Sequence, residues 1–282
     1  MEYFTLNNQT QIPVIGEGTF LFTPDEAEQA VLEALNGEYE LIDTANYYMN
    51  EKAVGRAMKA SKRSRDEIYL STKLWPTEYD NAKQAIDDTL ERLGVDYIDL
   101  LFLHQPIGNY VAAYQAMQEA VKEGKVRSLG LSNFTKEKIE ELILQMDIMP
   151  AVLQTESHPY ATQKELRAFL DEHDIKIMAW YPLGHGDSSL VNQEIFTKLA
   201  QKYHKSNVQI ILRWHTQIGN IVIPGSKSAT HIKENADIFD FKLTDEEMAE
   251  IAKLDVEKRY YTATPEKLNN YMNMKLDYNE QK

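Results

Sequence analysis

The sequence of 282 residues contains no cysteine. Without a thiol, the chain can form no disulfide, no thiolate metal site and no cysteine nucleophile, and this composition fits a reducing compartment. A zinc hydrolase needs a close histidine pair on one helix face with a carboxylate nearby, and the seven histidines show neither feature. We therefore predict no metal site.

Basic charge and long apolar runs are also scarce. Lys and Arg total 30 against 44 Asp and Glu, which gives a formal net charge of −14. Because such a chain repels phosphate backbones and anionic lipid, we expect neither a nucleic-acid nor a membrane partner. The apolar runs, such as residues 97–103, are too short to cross a bilayer, and the N-terminus has no basic stretch followed by an apolar one. We expect a cytoplasmic protein that acts on a small molecule, with a monomer as the expected state.

A glycine-rich dinucleotide turn is lacking too. Tyr48 and Lys52 match the Tyr-x-x-x-Lys pair of short-chain dehydrogenases, but that pair belongs to a Rossmann sheet with a glycine-rich N-terminal turn. Here Gly16-Glu-Gly18 is followed by Leu21 where the third glycine should stand, and no helix pattern begins there. We therefore reject a Rossmann dehydrogenase.

What the sequence does contain is a regular alternation of short β-rich runs and longer amphipathic segments, which is typical of a parallel sheet covered by helices. The candidate strands are residues 14–18, 39–43, 68–73, 97–104, 126–132, 152–155, 177–181 and 221–224. The length alone permits one domain or two, but no linker or change of composition interrupts the pattern. We predict an α/β fold, a (β/α)₈ TIM barrel, with one domain over residues 1–282.

The two ends of the chain depart from this alternation. Residues 4–6 and 11–12 flank Asn7 and Asn8, which predicts a β-hairpin that covers the bottom of the barrel. Beyond Asp255 the sequence is polar and rich in tyrosine. We expect this C-terminal part to be a surface loop.

Polar side chains follow several of the predicted strands. Catalytic residues of TIM barrels gather at the C-terminal ends of the strands, where this sequence places Asp43 and Tyr48, Lys73, and His104. Each has a structural explanation taken alone, as a cap, one of 16 tyrosines, a solvated lysine or a core histidine. Their joint occurrence after three successive strands is not expected from packing. A carboxylate and an ammonium beside a phenol predict a lowered pKa for Tyr48.

These residues lie in segments that resemble the aldo-keto reductase family. Asp43-Thr-Ala-Asn-Tyr-Tyr48-Met-Asn-Glu51 is similar to its Asp-Thr-Ala-x-x-Tyr-x-Asn-Glu segment, and Ser71-Thr-Lys73-Leu-Trp75 and Leu103-His104 resemble the rest of its tetrad. The resemblance implies Asp43, Tyr48, Lys73 and His104 as catalytic residues. Tyr48 is then the proton donor, Lys73 paired with Asp43 makes that proton available, and His104 orients the carbonyl oxygen.

The resemblance continues toward the C-terminus and implies NADPH as cofactor. Gly130-Leu-Ser132-Asn133-Phe134 and Gln154 resemble its nicotinamide carboxamide contacts, Trp180 its stacking aromatic, and Ile223-Pro224-Gly225-Ser226-Lys227-Ser228 with Glu234-Asn235 its phosphate and adenine segment. The implied cofactor-binding residues are Thr19, Asp43, Ser132, Asn133, Gln154, Trp180, Leu183, Gly225, Ser226, Lys227, Ser228, His231 and Asn235.

Several positions differ from the family pattern. Gln105 stands where the family often has Trp, which makes the expected substrate pocket more polar. Gly225 stands where Lys is common and His231 where Arg is common, so we expect only moderate discrimination, with NADH as a weaker second cofactor. We expect Phe20, Trp75, His104 and Gln105 to line the substrate opening.

The predicted function is NADPH-dependent reduction of aldehydes or ketones to alcohols. One alternative is a cofactor-sensing binding barrel with slow turnover, and the intact set of four polar residues disfavours it. A second is a structural scaffold in which the polar strand ends have no joint role. Turnover of small aldehydes with NADPH, and binding of the cofactor, distinguish the three.

Overall fold

The computed structural model of the protein describes residues 1–282 and has eight parallel strands at its centre. The strands are β3 (Gly16–Gly18), β4 (Leu41–Asp43), β5 (Tyr69–Leu74), β6 (Ile98–Leu103), β7 (Val126–Ser132), β8 (Val152–Glu156), β9 (Lys176–Trp180) and β10 (Asn220–Val222). Each pairs with the next along the chain. The sheet closes where Ile15 bridges Val222 and the Val222 N–H donates to the Val14 carbonyl at 2.9 Å. The predicted barrel is confirmed.

The strand residues are almost all buried, because both faces of the sheet are covered. All six residues of β6 are buried, although only alternate ones point into the barrel. Inside the barrel Phe102 fills space that Gly130 leaves open, since a Cβ on Gly130 would lie 2.4 Å from the Phe102 ring. The ends of the strands differ from the predicted ones by at most two residues, for example where Pro224 lies beyond the end of β10.

The predicted N-terminal hairpin is confirmed as β1 (Tyr3–Thr5) paired antiparallel with β2 (Gln11–Pro13). Leu6 and Ile12 are fully buried and pack in the same cluster as Phe102, inside the barrel. The Asn7 side chain donates to the Pro150 carbonyl, just before β8, at 2.9 Å. The hairpin therefore closes the barrel at the N-terminal ends of its strands.

Helices surround the barrel, and most of them bury one face against the strands or against a neighbouring helix. They are α1 (Pro24–Asn36), α2 (Glu51–Ala60), α3 (Ala82–Leu93), α4 (Tyr110–Lys122), α5 (Lys136–Ile143), α6 (Lys164–Glu172), α7 (Ser188–Val191), α8 (Glu194–Tyr203), α9 (Asn207–Gln217), α10 (Ala229–Ala236), α11 (Asp245–Ala252) and α12 (Pro265–Met272). None of these helices combines the length and the apolar composition that a bilayer crossing requires.

The C-terminal segment, beyond Asp255, is a long connection that contains α12, which sequence analysis did not predict. Part of this segment packs against the barrel. The Trp75 indole N–H donates to the Tyr271 carbonyl at 3.2 Å, and the centres of the two aromatic rings are 4.9 Å apart. Tyr278 is buried near the end of the chain. Tyr271 therefore covers part of the C-terminal mouth of the barrel, beside Trp75.

Candidate active site

A cavity of about 640 Å³ opens at the C-terminal ends of the strands. The predicted site residues that line it are Phe20, Asp43, Tyr48, Trp75, His104, Gln105, Ser132, Asn133, Gln154, Trp180, Leu183, Gly225, Ser226, His231 and Asn235. Thr19, Lys73, Lys227 and Ser228 are not among the lining residues. Thr19 and Lys73 are fully buried behind the cavity wall.

A buried ion pair lies at the bottom of the cavity, where Asp43 lines the wall and Lys73 lies directly behind it. The Lys73 Nζ atom lies 2.6 Å from Asp43 Oδ2 and also donates to the Thr44 carbonyl at 2.7 Å. Asp43 Oδ1 accepts hydrogen bonds from the Ser71 hydroxyl at 2.7 Å and the Gln154 amide at 3.1 Å. Both charges are removed from solvent, and every polar atom of the pair has a partner, which fixes its geometry.

Tyr48 stands above this pair. It ends a short 3₁₀ helix that follows β4, and its ring centre is 4.9 Å from Lys73 Nζ. Burial and the charge of Asp43 raise the pKa of Tyr48 well above its ordinary value, so the prediction of a lowered pKa is wrong. The reason is that Lys73 is already neutralised by Asp43, and the loss of solvent outweighs its attraction. Tyr48 is therefore fully protonated at neutral pH.

His104 follows β6 directly and faces Tyr48, with ring centres 5.7 Å apart and planes at 76°. It is 7% exposed, and its Nδ1 atom is buried with no hydrogen-bond partner. Burial, helped by the nearby charge of Lys73, lowers the pKa of His104 well below its usual range. The imidazole is therefore neutral at physiological pH and offers one N–H as a donor.

Aromatic rings form the opening next to Tyr48 and His104. Trp75 stacks on Tyr47, with ring centres 4.0 Å apart and planes at 13°, and contacts Tyr271 on its other side. The ring of Phe20 is 41% exposed at the rim and lies 5.0 Å from the ring of Tyr48. A flat carbonyl compound can bind between such faces.

Gln105 supplies the polar part of this wall. Its main chain is held by the Tyr79 hydroxyl, which accepts from the Gln105 N–H at 3.1 Å and donates to the Gln105 carbonyl at 2.9 Å. The side chain is 5% exposed, and its Oε1 atom has no hydrogen-bond partner. Such an amide can still take a hydrogen bond from a bound molecule if it turns about its last torsion.

Three polar side chains gather at the ends of β7 and β8. Asn133 has φ +63°, a left-handed conformation that Asn tolerates better than most residues. Its Oδ1 atom accepts the Trp180 indole N–H at 3.1 Å, and its amide donates to the Ser132 hydroxyl at 3.2 Å. With Gln154, these groups present hydroxyl and amide functions to the cavity near the Asp43–Lys73 pair.

The far end of the cavity is lined by Gly225 and Ser226. A Cβ on Gly225 would lie 2.6 Å from the Gly18 carbonyl oxygen, so no larger residue fits in this backbone conformation. The Lys227 ammonium turns away toward Glu26, at 2.9 Å. Ser228 caps α10, its hydroxyl accepting the His231 N–H at 3.4 Å, while the His231 side chain is exposed.

Sequence analysis missed several residues that line the cavity: Tyr47, Tyr181, His185, Tyr261 and Tyr271. Tyr47 and Tyr181 each adjoin a predicted site residue, so their positions gave a usable signal. Tyr261 and Tyr271 belong to the C-terminal segment, and the only hint was its high tyrosine content. The main-chain N–H groups of Tyr260 and Tyr261 donate to the buried Glu156 carboxylate at 2.6 and 3.0 Å, which positions this segment.

The chain matches the model of the Aldo/keto reductase family over residues 14–256. It is 41% identical over 251 residues to methylglyoxal reductase DkgA of Yersinia pestis, covering 88% of this chain and 91% of the relative. It is 38% identical over 257 residues to methylglyoxal reductase DkgA of Escherichia coli (strain K12), covering 90% and 94%.

Solved structures give the same result. An aldo/keto reductase from Brucella melitensis is 42% identical with a TM-score of 0.87, covering 90% of this chain and 98% of that one. A Bombyx mori aldo-keto reductase in complex with NADP is 34% identical with a TM-score of 0.87, covering 93% and 95%.

Proposed function

Since this chain belongs to the aldo/keto reductase family, we propose that it reduces the carbonyl group of small aldehydes or ketones to an alcohol, with NADPH as the cofactor. The observation that carries the proposal is the buried Lys73–Asp43 pair, 2.6 Å long, beneath a protonated Tyr48 and beside a neutral His104. The C-terminal segment lines the same cavity, so we also propose that residues 1–282 work as one domain.

Tyr48 donates the proton in this mechanism. Its raised pKa keeps the proton on the hydroxyl until the carbonyl oxygen becomes an alkoxide, which is a much stronger base than a phenolate. Lys73 then stabilises the phenolate that remains, and Asp43 holds the ammonium in place. The neutral His104 donates an N–H to the carbonyl oxygen and so orients it toward Tyr48.

The cleft fits a nicotinamide dinucleotide. Its volume of about 640 Å³ lies within the ordinary range for cofactor sites, and it runs from the Lys73–Asp43 pair to the segment before α10. Ser132, Asn133, Gln154 and Trp180 would hold the nicotinamide end. The lining residues that would hold the rest are Leu183, Gly225, Ser226, His231 and Asn235, with Lys227 and Ser228 next to them in the chain. Thr19 is fully buried behind the wall and would support the site without touching the cofactor. The bound cofactor supplies the hydride, and the protein supplies orientation and the proton.

We propose small, oxygen-rich carbonyl compounds as substrates. Two features support this choice: the polar Gln105 side chain in an otherwise aromatic wall, and the 38–41% identity to proteins named methylglyoxal reductase. Methylglyoxal carries a second oxygen next to its aldehyde, and the Gln105 amide could bind that oxygen.

Steady-state turnover of methylglyoxal by the purified protein tests the proposal, with NADPH consumption and the alcohol product both measured. Tyr48→Phe, which lacks the proton donor, is the control for background reduction. Binding of NADPH without turnover of any aldehyde would support a cofactor-sensing barrel instead. Absence of both binding and turnover would contradict the cofactor as well.

A further inference from the structure

Residues 225–228 form the segment next to the far end of the cleft. Two of the hydrogen-bond donors in this segment are bonded to glutamate side chains of the same chain. Glu26 Oε2 lies 2.9 Å from the Lys227 ammonium. Glu17 Oε1 accepts the Ser226 main-chain N–H at 2.7 Å. These are the positive charge and an N–H group that a phosphate at this end of the cleft would need.

The start of α1 fixes the position of Glu26. Its Oε2 atom accepts the Thr23 N–H at 2.9 Å, and its own N–H donates to the Thr23 hydroxyl at 3.3 Å, which is a capping box. The Lys227 hydrogen bond, with the Thr23 N–H, holds the pKa of Glu26 below its usual value. The carboxylate is therefore ionised, and its position next to Lys227 is set by the protein itself.

Glu17 lies at the centre of β3 and is fully buried. Burial raises the pKa of Glu17 well above its ordinary value, so this side chain acts as a hydrogen-bond acceptor and not as a fixed anion. Its second oxygen, Oε2, has no hydrogen-bond partner, and neither has the buried hydroxyl of Tyr39. The Ser226 N–H is thus directed into the protein toward Glu17 and away from the cleft that Ser226 lines.

From this geometry we infer that Glu26 narrows the cofactor preference, because its carboxylate competes with the 2′-phosphate of NADPH for Lys227, and that the buried Glu17 side chain adds to this effect by holding the Ser226 N–H away from the cleft. The inference rests on the proposed function. To bind Lys227, the 2′-phosphate must displace Glu26, so it exchanges one ion pair for another and gains little. NADH has no 2′-phosphate, so the Lys227–Glu26 pair does not change its affinity. Glu26 therefore reduces the difference in affinity between NADPH and NADH.

Glu26→Gln tests the competition directly. Gln retains the capping box, so the start of α1 is preserved. We expect NADP⁺ to bind about two- to fivefold more tightly to this variant at low salt, and NAD⁺ to bind with unchanged affinity. Titration calorimetry measures both, and adenosine 2′-monophosphate against adenosine serves as a second ligand pair that needs no turnover.

Glu28→Gln is the matched control, because Glu28 lies on the same helix, is 37% exposed like Glu26, and pairs with Arg56 at 2.7 Å. It removes the same charge and should leave every affinity unchanged. Equal tightening in both variants, or no tightening in Glu26→Gln, would overturn the inference. If NADP⁺ fails to bind the wild type as well, the proposed function fails instead.

Glu17→Leu examines the second side chain. It removes the oxygen that accepts the Ser226 N–H and leaves that donor free to turn toward a phosphate. We expect NADP⁺ to bind more tightly than in the wild type, and more tightly again when Glu26→Gln is added. Unchanged affinity in a folded Glu17→Leu variant would remove Glu17 from the inference, and the Glu26 comparison would decide it alone.

Discussion

The Lys73 ammonium and the Asp43 carboxylate lie 2.6 Å apart with both side chains out of reach of solvent. A buried pair of this kind gives little net stability, because each ion loses its hydration. Its value lies in placing one positive charge at a fixed position beneath Tyr48, where a phenolate forms during the proposed reaction.

Tyr48→Phe should lower kcat by about 10²- to 10⁴-fold, because it removes the proposed acid and little else. The Tyr48 ring packs against Phe20 and His104, and Phe retains those contacts. We therefore expect the melting temperature and the affinity for NADPH to stay unchanged. Steady-state kinetics checks the predicted loss of kcat, and cofactor titration checks the unchanged affinity for NADPH. A kcat within a few-fold of the wild type would show that another group gives the proton.

Asp43→Asn and Lys73→Met should both lower kcat, and the double variant should be scarcely slower than the slower single variant, because the two residues act as a unit. Each single change leaves an uncompensated buried charge, at a cost of about 3–5 kcal/mol in the free energy of unfolding. The double variant removes both charges and should recover part of that loss. Denaturant unfolding measures the recovery, and additive losses would mean that the residues have separate roles.

The pH dependence of kcat/KM should show no step from His104. Because the pKa of His104 is well below 6.5 and that of Tyr48 well above 10, the neutral imidazole and the protonated phenol are both fully populated from pH 6 to 8. We expect a flat profile for carbonyl reduction over this range. A rate that rises as pH falls through 6.5 would mean that the imidazolium is the active form.

His215 should make stability depend on pH. The Pro182 carbonyl lies 2.9 Å from its Nε2 and the Asn220 amide 2.9 Å from its Nδ1, and burial lowers its pKa to about 3. Below pH 6.5 the His215 imidazole binds a proton in the unfolded chain but not in the native state. The free energy of unfolding therefore falls by up to about 1.4 kcal/mol per pH unit from this residue as pH decreases toward 3. Unfolding of His215→Gln should show a shallower dependence, whereas His204→Asn, at an exposed position, should not change it.

The barrel and the polar residues at its C-terminal end could be predicted from sequence because each of these residues lies at or next to the end of a predicted strand. The parallel strands bring Asp43, Lys73 and His104 to one end regardless of side-chain detail. The Tyr48 pKa could not be predicted this way, since its direction depends on how burial balances against nearby charges.

The residues that close the cavity were harder to predict. Tyr271 reaches Trp75 across 196 positions of sequence, through a segment whose composition is that of a surface loop. The Lys227–Glu26 pair likewise joins two exposed side chains with no pattern that connects them. Contacts of this kind depend on tertiary packing and not on a local period.

Gln105→Met should change substrate preference and leave the reaction itself intact. Met has nearly the length of Gln without the amide, so the wall keeps its shape. A substrate hydroxyl next to the carbonyl then loses its hydrogen bond, at a cost of about 1–3 kcal/mol, or roughly 5- to 150-fold in kcat/KM. We expect this loss for 2-hydroxypropanal and little change for propanal. The variant should also be at least as stable as the wild type, because Gln105 Oε1 is buried without a partner and removing it costs no hydrogen bond. Paired kinetics and thermal unfolding give the two measurements, and an equal loss for both aldehydes would show that Gln105 shapes the pocket without recognising the second oxygen.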